Sequence, residues 1–143
     1  MDDADAIRSL IVAYAERLDA GDFDGVAALF EHATFRSARA ETARVGRDAI
    51  RQMYDPVIVY DDGTPRTKHV LGNIEVTVDT GRANAASRCT FTVLQAASAH
   101  RLAPVLAGRY HDTFELVDRA WRFTERLVLP DLVGDLSAHM RAR

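Results

Sequence analysis

Residues 14–30, YAERLDAGDFDGVAALF, join two amphipathic helices through a short polar turn. In the first helix, apolar residues recur with the period of 3.6 residues per turn and therefore share one face. These residues are Ile7, Leu10, Ile11, Tyr14 and Leu18. Gly21 ends this helix, because glycine readily adopts the left-handed conformation that follows a helix. Asp22 then fits the N-cap of a second, shorter helix.

Two short strands and a third helix follow this unit. The short strands are expected at residues 34–37 and near Val45. The third helix begins at Gly46-Arg47, and its apolar residues keep helical spacing. They are Ala49, Ile50, Met53, Tyr54 and Val57. A further short helix is predicted at residues 135–141.

From residue 67 onward the hydrophobic period changes to two, which is typical of strands. The alternation gives the first of these strands two faces, with Val70, Ile74, Val76 and Val78 on one and His69, Leu71 and Asn73 on the other. Residues 79–82, DTGR, predict a hairpin turn. Further strands are predicted at residues 86–97, 105–118 and 121–129.

Helices that precede long antiparallel strands predict an α+β fold, and one domain accounts for residues 1–143. The expected architecture is a curved sheet whose concave side holds the helices. Three helices cover only one side of such a sheet, so its outer face is expected to pair with a second copy of the chain. The sequence therefore predicts a homodimer, with a higher homo-oligomer as the alternative.

The composition argues against several classes of protein. Hydrophobic residues make up 48% of the 143 residues, which suffices for one sizeable core. The net charge of −3 argues against nucleic acid as a partner, because phosphate binding requires clustered basic residues. Cys89 is the only cysteine, which excludes an intrachain disulfide. The acidic N-terminus and the short apolar runs predict no signal peptide and no membrane span, and hence a cytoplasmic protein.

Several segments resemble the nuclear-transport-factor-2-like (NTF2-like, cystatin-like) superfamily. They are residues 14–30, 33–35 (ATF), 46–50 (GRDAI), 108–112 (GRYHD) and 121–123 (WRF). Within the superfamily, the chain is most similar to the SnoaL-like group of polyketide cyclases, scytalone dehydratase and hexachlorocyclohexane dehydrochlorinase. The resemblance implies a cone-shaped fold, with three N-terminal helices on the concave face of a mostly antiparallel sheet. It also implies one apolar pocket for a small hydrophobic molecule, and chemistry without a metal or organic cofactor.

Asp19 is the first candidate catalytic residue, because it closes the first helix at the negative end of the helix dipole, which disfavours a carboxylate. The resemblance implies that Asp19 orients a catalytic histidine. That histidine is His69, because residues 69–73 resemble the His-x-x-x-Asn segment of the dehydratase and the dehydrochlorinase. An imidazole titrates near neutral pH and can take a proton from a carbon acid. The alternatives are structural: Asp19 shapes the turn between the helices, and His69 bonds to a backbone carbonyl.

Five further residues are candidates for substrate contacts. Asn73 is expected on the same strand face as His69, and Tyr110 on the inward face of a later strand. Tyr14 and Tyr54 lie on the inward sides of the first and third helices, and a resemblance to ketosteroid isomerase implies that Tyr14 donates to a substrate oxygen. Arg126 matches an arginine that stabilises a leaving anion in the dehydrochlorinase. The alternatives are core packing for Tyr14 and Tyr54 and a solvated strand position for Arg126.

Two positions depart from these relatives. Ser37 stands where the isomerase has its general-base aspartate. No histidine occurs at residues 88–92, where the dehydratase has its second catalytic histidine. These departures argue against either mechanism in its full form. His32, His100 and His139 show no spacing that indicates metal ligation, so no metal site is predicted.

The sequence leaves three hypotheses open. The first is a cofactor-independent lyase, isomerase or cyclase that acts on a small hydrophobic ring compound, with His69 as the base and Asp19 as its orienting partner. The second is a non-catalytic small-molecule-binding or dimerisation module of the same fold. The third is an accessory small subunit of a ring-hydroxylating dioxygenase, which shares the fold.

Overall fold

The computed structural model describes residues 1–97 and 101–142 of the chain. Its helices are α1 (Asp3–Asp19), α2 (Phe23–Leu29) and α3 (Arg47–Gln52). Its strands are β1 (Thr34–Ser37), β2 (Arg44–Val45), β3 (Thr67–Asp79), β4 (Asn84–Gln95), β5 (Ala103–Val117) and β6 (Ala120–Val133). This arrangement confirms the α+β class. Among the described residues, no helix combines the length and the apolar character needed to cross a membrane.

The turn between α1 and α2 has the conformation that the sequence predicts. Gly21 has a φ of +77°, and a Cβ atom at this position would collide with the carbonyl oxygen of Gly63. Glycine is therefore required here both for the left-handed conformation and for the close approach of the two chain segments. The side chain of Asp22 accepts a hydrogen bond from the backbone N–H of Gly25 at 2.9 Å and so caps α2.

The six strands form one sheet in the order β2-β1-β6-β5-β4-β3. All neighbouring pairs are antiparallel except β1 and β6, which are parallel. Extra residues interrupt the register in β3, β5 and β6, and such bulges bend a sheet. The inner face carries an aromatic core in which Phe123 contacts Phe30 and Phe114, with ring centroids 4.6 and 4.7 Å apart. The sheet and the helices together enclose this core, as expected.

A bulge in β3 makes the predicted faces of this strand wrong. Gly72 pairs with Thr90 and Glu75 pairs with Arg88, so that three steps along β3 match two steps along β4. The extra residue is Asn73, whose φ of +51° lies in the left-handed region that asparagine tolerates. The bulge reverses the alternation beyond it. His69 and Leu71 therefore share the inner face with Ile74, Val76 and Val78, whereas Val70 and Asn73 are exposed.

An ion pair between Arg126 and Asp112 lies inside the core. The two residues are paired neighbours on β6 and β5, and both side chains are fully buried. Nε and Nη2 of Arg126 donate to the two carboxylate oxygens at 2.8 and 2.9 Å. The guanidinium carbon lies 3.8 Å from the ring centroid of Tyr110 and 4.3 Å from that of Tyr14. The charge is therefore held by a bidentate carboxylate and by two aromatic faces.

Residues 135–141, termed the C-terminal segment, do not form the predicted helix. The carbonyl of Leu136 accepts from the N–H groups of His139 and Met140 at 2.9 Å and closes a single turn. The segment also bonds to residues 56–58: the N–H of Ile58 donates to the carbonyl of His139, and the N–H of Arg141 donates to that of Pro56, both at 2.8 Å. Met140 forms an isolated bridge with Val57. The segment therefore forms one turn and then pairs with a distant part of the chain instead of continuing as a helix, and no local pattern predicts this pairing.

The outer face of the sheet combines ion pairs with apolar residues. Arg88 donates to Glu75 at 2.7 Å, and Arg109 donates to Asp131 at 2.9 Å. Leu127 and Leu129 are half-buried on this face, and Val70 is 48% exposed. This mixture is compatible with an interface, and the homodimer stays a prediction.

Arg126→Met should lower the free energy of unfolding by about 3–5 kcal/mol, because it leaves the buried Asp112 carboxylate without a counterion. The double variant Arg126→Met/Asp112→Leu should recover much of this loss, since no buried charge then remains. Urea unfolding followed by circular dichroism measures both effects. Arg109→Met, which breaks the exposed pair with Asp131, is the matched control and should cost far less. Equal losses in the buried and the exposed variants would contradict this interpretation.

If the outer faces of two chains pack together, multi-angle light scattering at tens of micromolar should give twice the mass of one chain. A mass of 15.8 kDa would rule out the homodimer. Leu129→Asp places a charge on the outer face and should shift the mass toward that of one chain.

Candidate functional site

A cavity of about 280 Å³ lies between the helices and the inner face of the sheet. Ten of the sixteen residues that line it are apolar. The six with polar groups are Tyr14, Ser37, Tyr54, His69, Tyr110 and His139. Among the described residues in this wall, none is Asp, Glu, Lys or Arg. The cavity therefore suits an uncharged, largely apolar molecule.

His69 and Asp19 form a hydrogen-bonded pair beside the cavity. Nδ1 of His69 lies 2.6 Å from Oδ1 of Asp19, and the two side chains are 4% and 12% exposed. Because a carboxylate only accepts, Nδ1 carries the hydrogen of this bond. In the neutral ring, Nε2 then carries the lone pair. The structure thus brings together the two residues that the sequence singles out as catalytic candidates.

Asp19 also holds α1 against β3. Its Oδ2 accepts the backbone N–H of His69, and its Oδ1 accepts the hydroxyl of Thr67, both at 2.8 Å. Burial by itself raises the pKa of Asp19, but the hydrogen bonds and charge of His69, together with Thr67, outweigh burial and hold the pKa below its usual value. The carboxylate is therefore charged at neutral pH and available to stabilise a positive charge on His69.

The hydroxyl groups of Tyr14 and Tyr54 form a hydrogen bond at a second point of the cavity wall. The two oxygens lie 3.1 Å apart, and the ring of Tyr14 makes an edge-to-face contact with the ring of His69. Burial and the neighbouring Tyr14 raise the pKa of Tyr54 well above its usual value, so its hydroxyl stays protonated. When one hydroxyl donates to the other, the second proton is left for a ligand.

Tyr110 lines the cavity from the sheet. Its ring stacks on Phe91 with centroids 4.2 Å apart, and its opposite side meets the guanidinium of Arg126. Burial raises the pKa of Tyr110 well above its usual value. This tyrosine is therefore a rigid, uncharged part of the wall.

Two predicted contact residues lie outside the cavity. Asn73 is exposed and lies beside Arg88, Arg109 and His111 on the outer face, because the bulge turns it away from His69. The prediction of a pocket-facing Asn73 is therefore wrong. Arg126 is neither solvated nor part of the cavity wall; it lies beneath the tyrosine rings, where Asp112 neutralises it. Both sequence-based interpretations of Arg126 are wrong.

His139, which the sequence analysis considers only as a metal ligand, lies in the cavity wall. It is 8% exposed, and no residue that the structure describes forms a hydrogen bond with its Nδ1. Burial lowers the pKa of His139 to about 4, with His69 adding to the effect and Asp19 opposing it. Its position depends on the pairing of the C-terminal segment with residues 56–58, so no local sequence pattern identifies it.

Within the described residues, no group of three or more His, Cys, Asp or Glu side chains is arranged to hold a metal ion. His32 is exposed beside Glu31, and His139 lies in the cavity wall. His100 lies outside the described residues.

The buried, neutral His139 predicts that the protein loses stability in mild acid. The unfolded chain regains the usual pKa of 6.5, whereas the folded value is about 4, so the unfolded chain binds the proton first as the pH falls. This contribution to stability is complete above pH 6.5. It should fall by on the order of 3 kcal/mol toward pH 4.

Urea unfolding at a series of pH values measures this loss. His139→Gln should flatten the profile between pH 6.5 and 4, whereas His111→Gln on the exposed outer face should reproduce the profile of the unaltered protein. The same slope in all three proteins would contradict the prediction.

Comparisons with known proteins address both the fold and the family. A SnoaL-like domain model matches residues 1–127. An NTF2-like protein with a cystatin-like fold from Novosphingobium aromaticivorans is 25% identical, with a TM-score of 0.74 over 95% of this chain and 86% of that one. A candidate aromatic ring hydroxylase from the same organism is 26% identical, with a TM-score of 0.75 over 95% of each chain. A candidate scytalone dehydratase, also from that organism, is 23% identical, with a TM-score of 0.74 over 98% of this chain and 89% of that one.

The comparison with curated proteins gives no match. The family match covers most of the chain, and the structural matches confirm the cystatin-like, NTF2-like fold. The chain therefore belongs to the SnoaL-like domain family.

Proposed function

We propose that the protein is a cofactor-independent lyase, isomerase or cyclase that acts on a small hydrophobic ring compound in the cavity. One observation carries the proposal: the 2.6 Å bond between Nδ1 of His69 and Oδ1 of Asp19 at the wall of a mostly apolar cavity. A carboxylate that fixes one ring nitrogen leaves the other as an oriented base.

The first step shared by the three reaction classes is removal of a proton from a carbon next to a carbonyl group. Nε2 of His69 takes the proton, and the electron pair of the C–H bond moves to the carbonyl oxygen to form an enolate. Asp19 stabilises the resulting imidazolium. The enolate then regains the proton at another carbon, expels a leaving group or attacks a second carbonyl. In each case the imidazolium gives its proton back to the product or to the departing group.

The hydroxyl pair of Tyr14 and Tyr54 supports an enolate as the intermediate. Both residues line the cavity, and their shared bond leaves one hydroxyl proton to donate to a ligand. A donor already placed at the position where negative charge develops lowers the barrier, because little reorganisation is needed during the reaction.

The aromatic residues of the cavity wall and the names of the relatives support a ring compound as the substrate. Phe35 and Phe91 lie among the apolar residues of the cavity. Two of the similar structures are named as a candidate scytalone dehydratase and a candidate aromatic ring hydroxylase. These names favour a cyclic substrate for this chain as well.

A non-catalytic ligand-binding module is the second candidate function, because the contacts of Asp19 also have a purely structural explanation. Its bonds to Thr67 and to the backbone of His69 join α1 to β3 whether or not chemistry takes place. In that case ligands would bind without being converted.

Exchange of α-hydrogens tests the proposal with 2-tetralone and 2-cyclohexenone as probes. In D₂O the protein should accelerate deuterium incorporation, measured by proton NMR. His69→Ala should remove most of this acceleration, about 10²–10⁴-fold. Asp19→Asn should cost a smaller factor, because its amide group turned toward Nδ1 favours the wrong tautomer. The double variant should be no slower than His69→Ala alone, since the two residues act as one unit.

His111→Ala on the outer face is the control and should exchange at the rate of the unaltered protein. Circular dichroism and urea unfolding establish that each variant is folded. Multiplicative losses in the double variant would mean that Asp19 acts independently of His69. Binding of 2-tetralone without exchange would overturn catalysis and favour the binding module.

A further inference from the structure

We propose that His139 hydrogen-bonds an oxygen atom of the ligand, so that the cavity prefers ring compounds with a ketone or hydroxyl group over the matching hydrocarbons. The inference rests on the proposed function only in taking this cavity as the ligand site. In this proposal His139 forms a hydrogen bond with a ligand oxygen, whereas His69 removes a proton from a ligand carbon.

The unpaired ring of His139 is the observation that points to a ligand. Its Nδ1 is buried without a hydrogen-bond partner among the described residues, and the residue is 92% buried and lies in the cavity wall. Buried polar groups in folded proteins nearly always have partners, because an unmade bond costs free energy. Because Nδ1 is closed off from the cavity, the ring nitrogen available to a ligand is Nε2, which also makes no hydrogen bond to a described residue. A ligand with a polar atom next to Nε2 would give the ring its hydrogen bond.

The backbone around His139 is already satisfied, so the unpaired ring is not a sign of a loose segment. The N–H of His139 donates to the carbonyl of Leu136 at 2.9 Å, and its own carbonyl accepts from Ile58 at 2.8 Å. The buried amide of Gln95 donates to the carbonyl of Ala138 at 3.0 Å. The chain therefore holds the ring at the cavity wall before any ligand arrives.

The environment of His139 favours hydrogen bonding over proton transfer. Asp19, the carboxylate whose charge acts on His139, is already bonded to His69. Burial keeps the pKa of His139 near 4, so the ring is neutral at pH 7. A neutral imidazole has one N–H donor and one acceptor nitrogen, and it can polarise a carbonyl group without carrying a charge.

Affinity for a matched pair of probes tests the proposal. 2-Tetralone and tetralin share the same two fused rings and differ in one carbonyl oxygen. The unaltered protein should bind 2-tetralone more tightly than tetralin, as measured by ligand-observed NMR titration. His139→Leu should reduce this preference by about three- to tenfold, the loss expected for one hydrogen bond. His139→Gln keeps an N–H donor and should retain part of the preference, whereas His111→Leu on the outer face should retain all of it.

The ¹⁵N signals of the histidine rings give a second readout that needs no variant. Addition of 2-tetralone should shift a ring nitrogen of His139, and addition of tetralin should not. Equal affinities for the two probes, failure of 2-tetralone to bind, or an unmoved His139 signal would overturn the proposal. Loss of α-hydrogen exchange in His69→Ala with an intact probe preference in His139→Leu would refute the role of His139 and leave the proposed function standing. The opposite result would refute catalysis and leave the role of His139 standing.

Discussion

The carboxylate of Asp19 is the group on which both the fold and the candidate site depend. As the last residue of α1, it accepts hydrogen bonds from the hydroxyl of Thr67 and from the backbone and ring of His69. These two residues lie at the start of β3, which is the edge strand of the described sheet and exposes unpaired backbone groups on its outer side. One bond thus satisfies an edge N–H, and another orients an imidazole. The same carboxylate therefore attaches the first helix to the sheet and orients the imidazole of His69.

How far the sequence predicts this molecule depends on the range of the interactions involved. Helix α1, the turn at Gly21 and strand β1 follow from patterns within a few residues, and the structure has them where the sequence predicts. Asn73 faces outward because of a bulge that arises from the pairing of β3 with β4. His139 reaches the cavity because its segment pairs with residues 56–58, about eighty positions earlier in the chain. Both depend on contacts between distant parts of the chain, which periodicity within one segment does not encode.

One layer of aromatic rings separates the buried Arg126–Asp112 ion pair from the cavity. The Arg126–Asp112 pair lies beneath Tyr14 and Tyr110, and the wall above it offers only uncharged groups among the described residues. Of the two histidines in this wall, His69 is bonded to a carboxylate, whereas no described carboxylate is bonded to His139. The same side chain can therefore act as a base at one point and as a neutral donor or acceptor at another.

The bulge at Asn73 changes how spacing along β3 must be interpreted across the family. Residues 69 and 73 lie on one face of a regular strand, but here the extra residue puts them on opposite faces. A relative without the bulge would present the same His-x-x-x-Asn letters with both side chains facing the pocket. Aligned columns beyond residue 72 can therefore equate an inner position of one protein with an outer position of another. Residues of two such proteins correspond when their side chains lie on the same face of the strand, and identical residue types at the same spacing do not establish this.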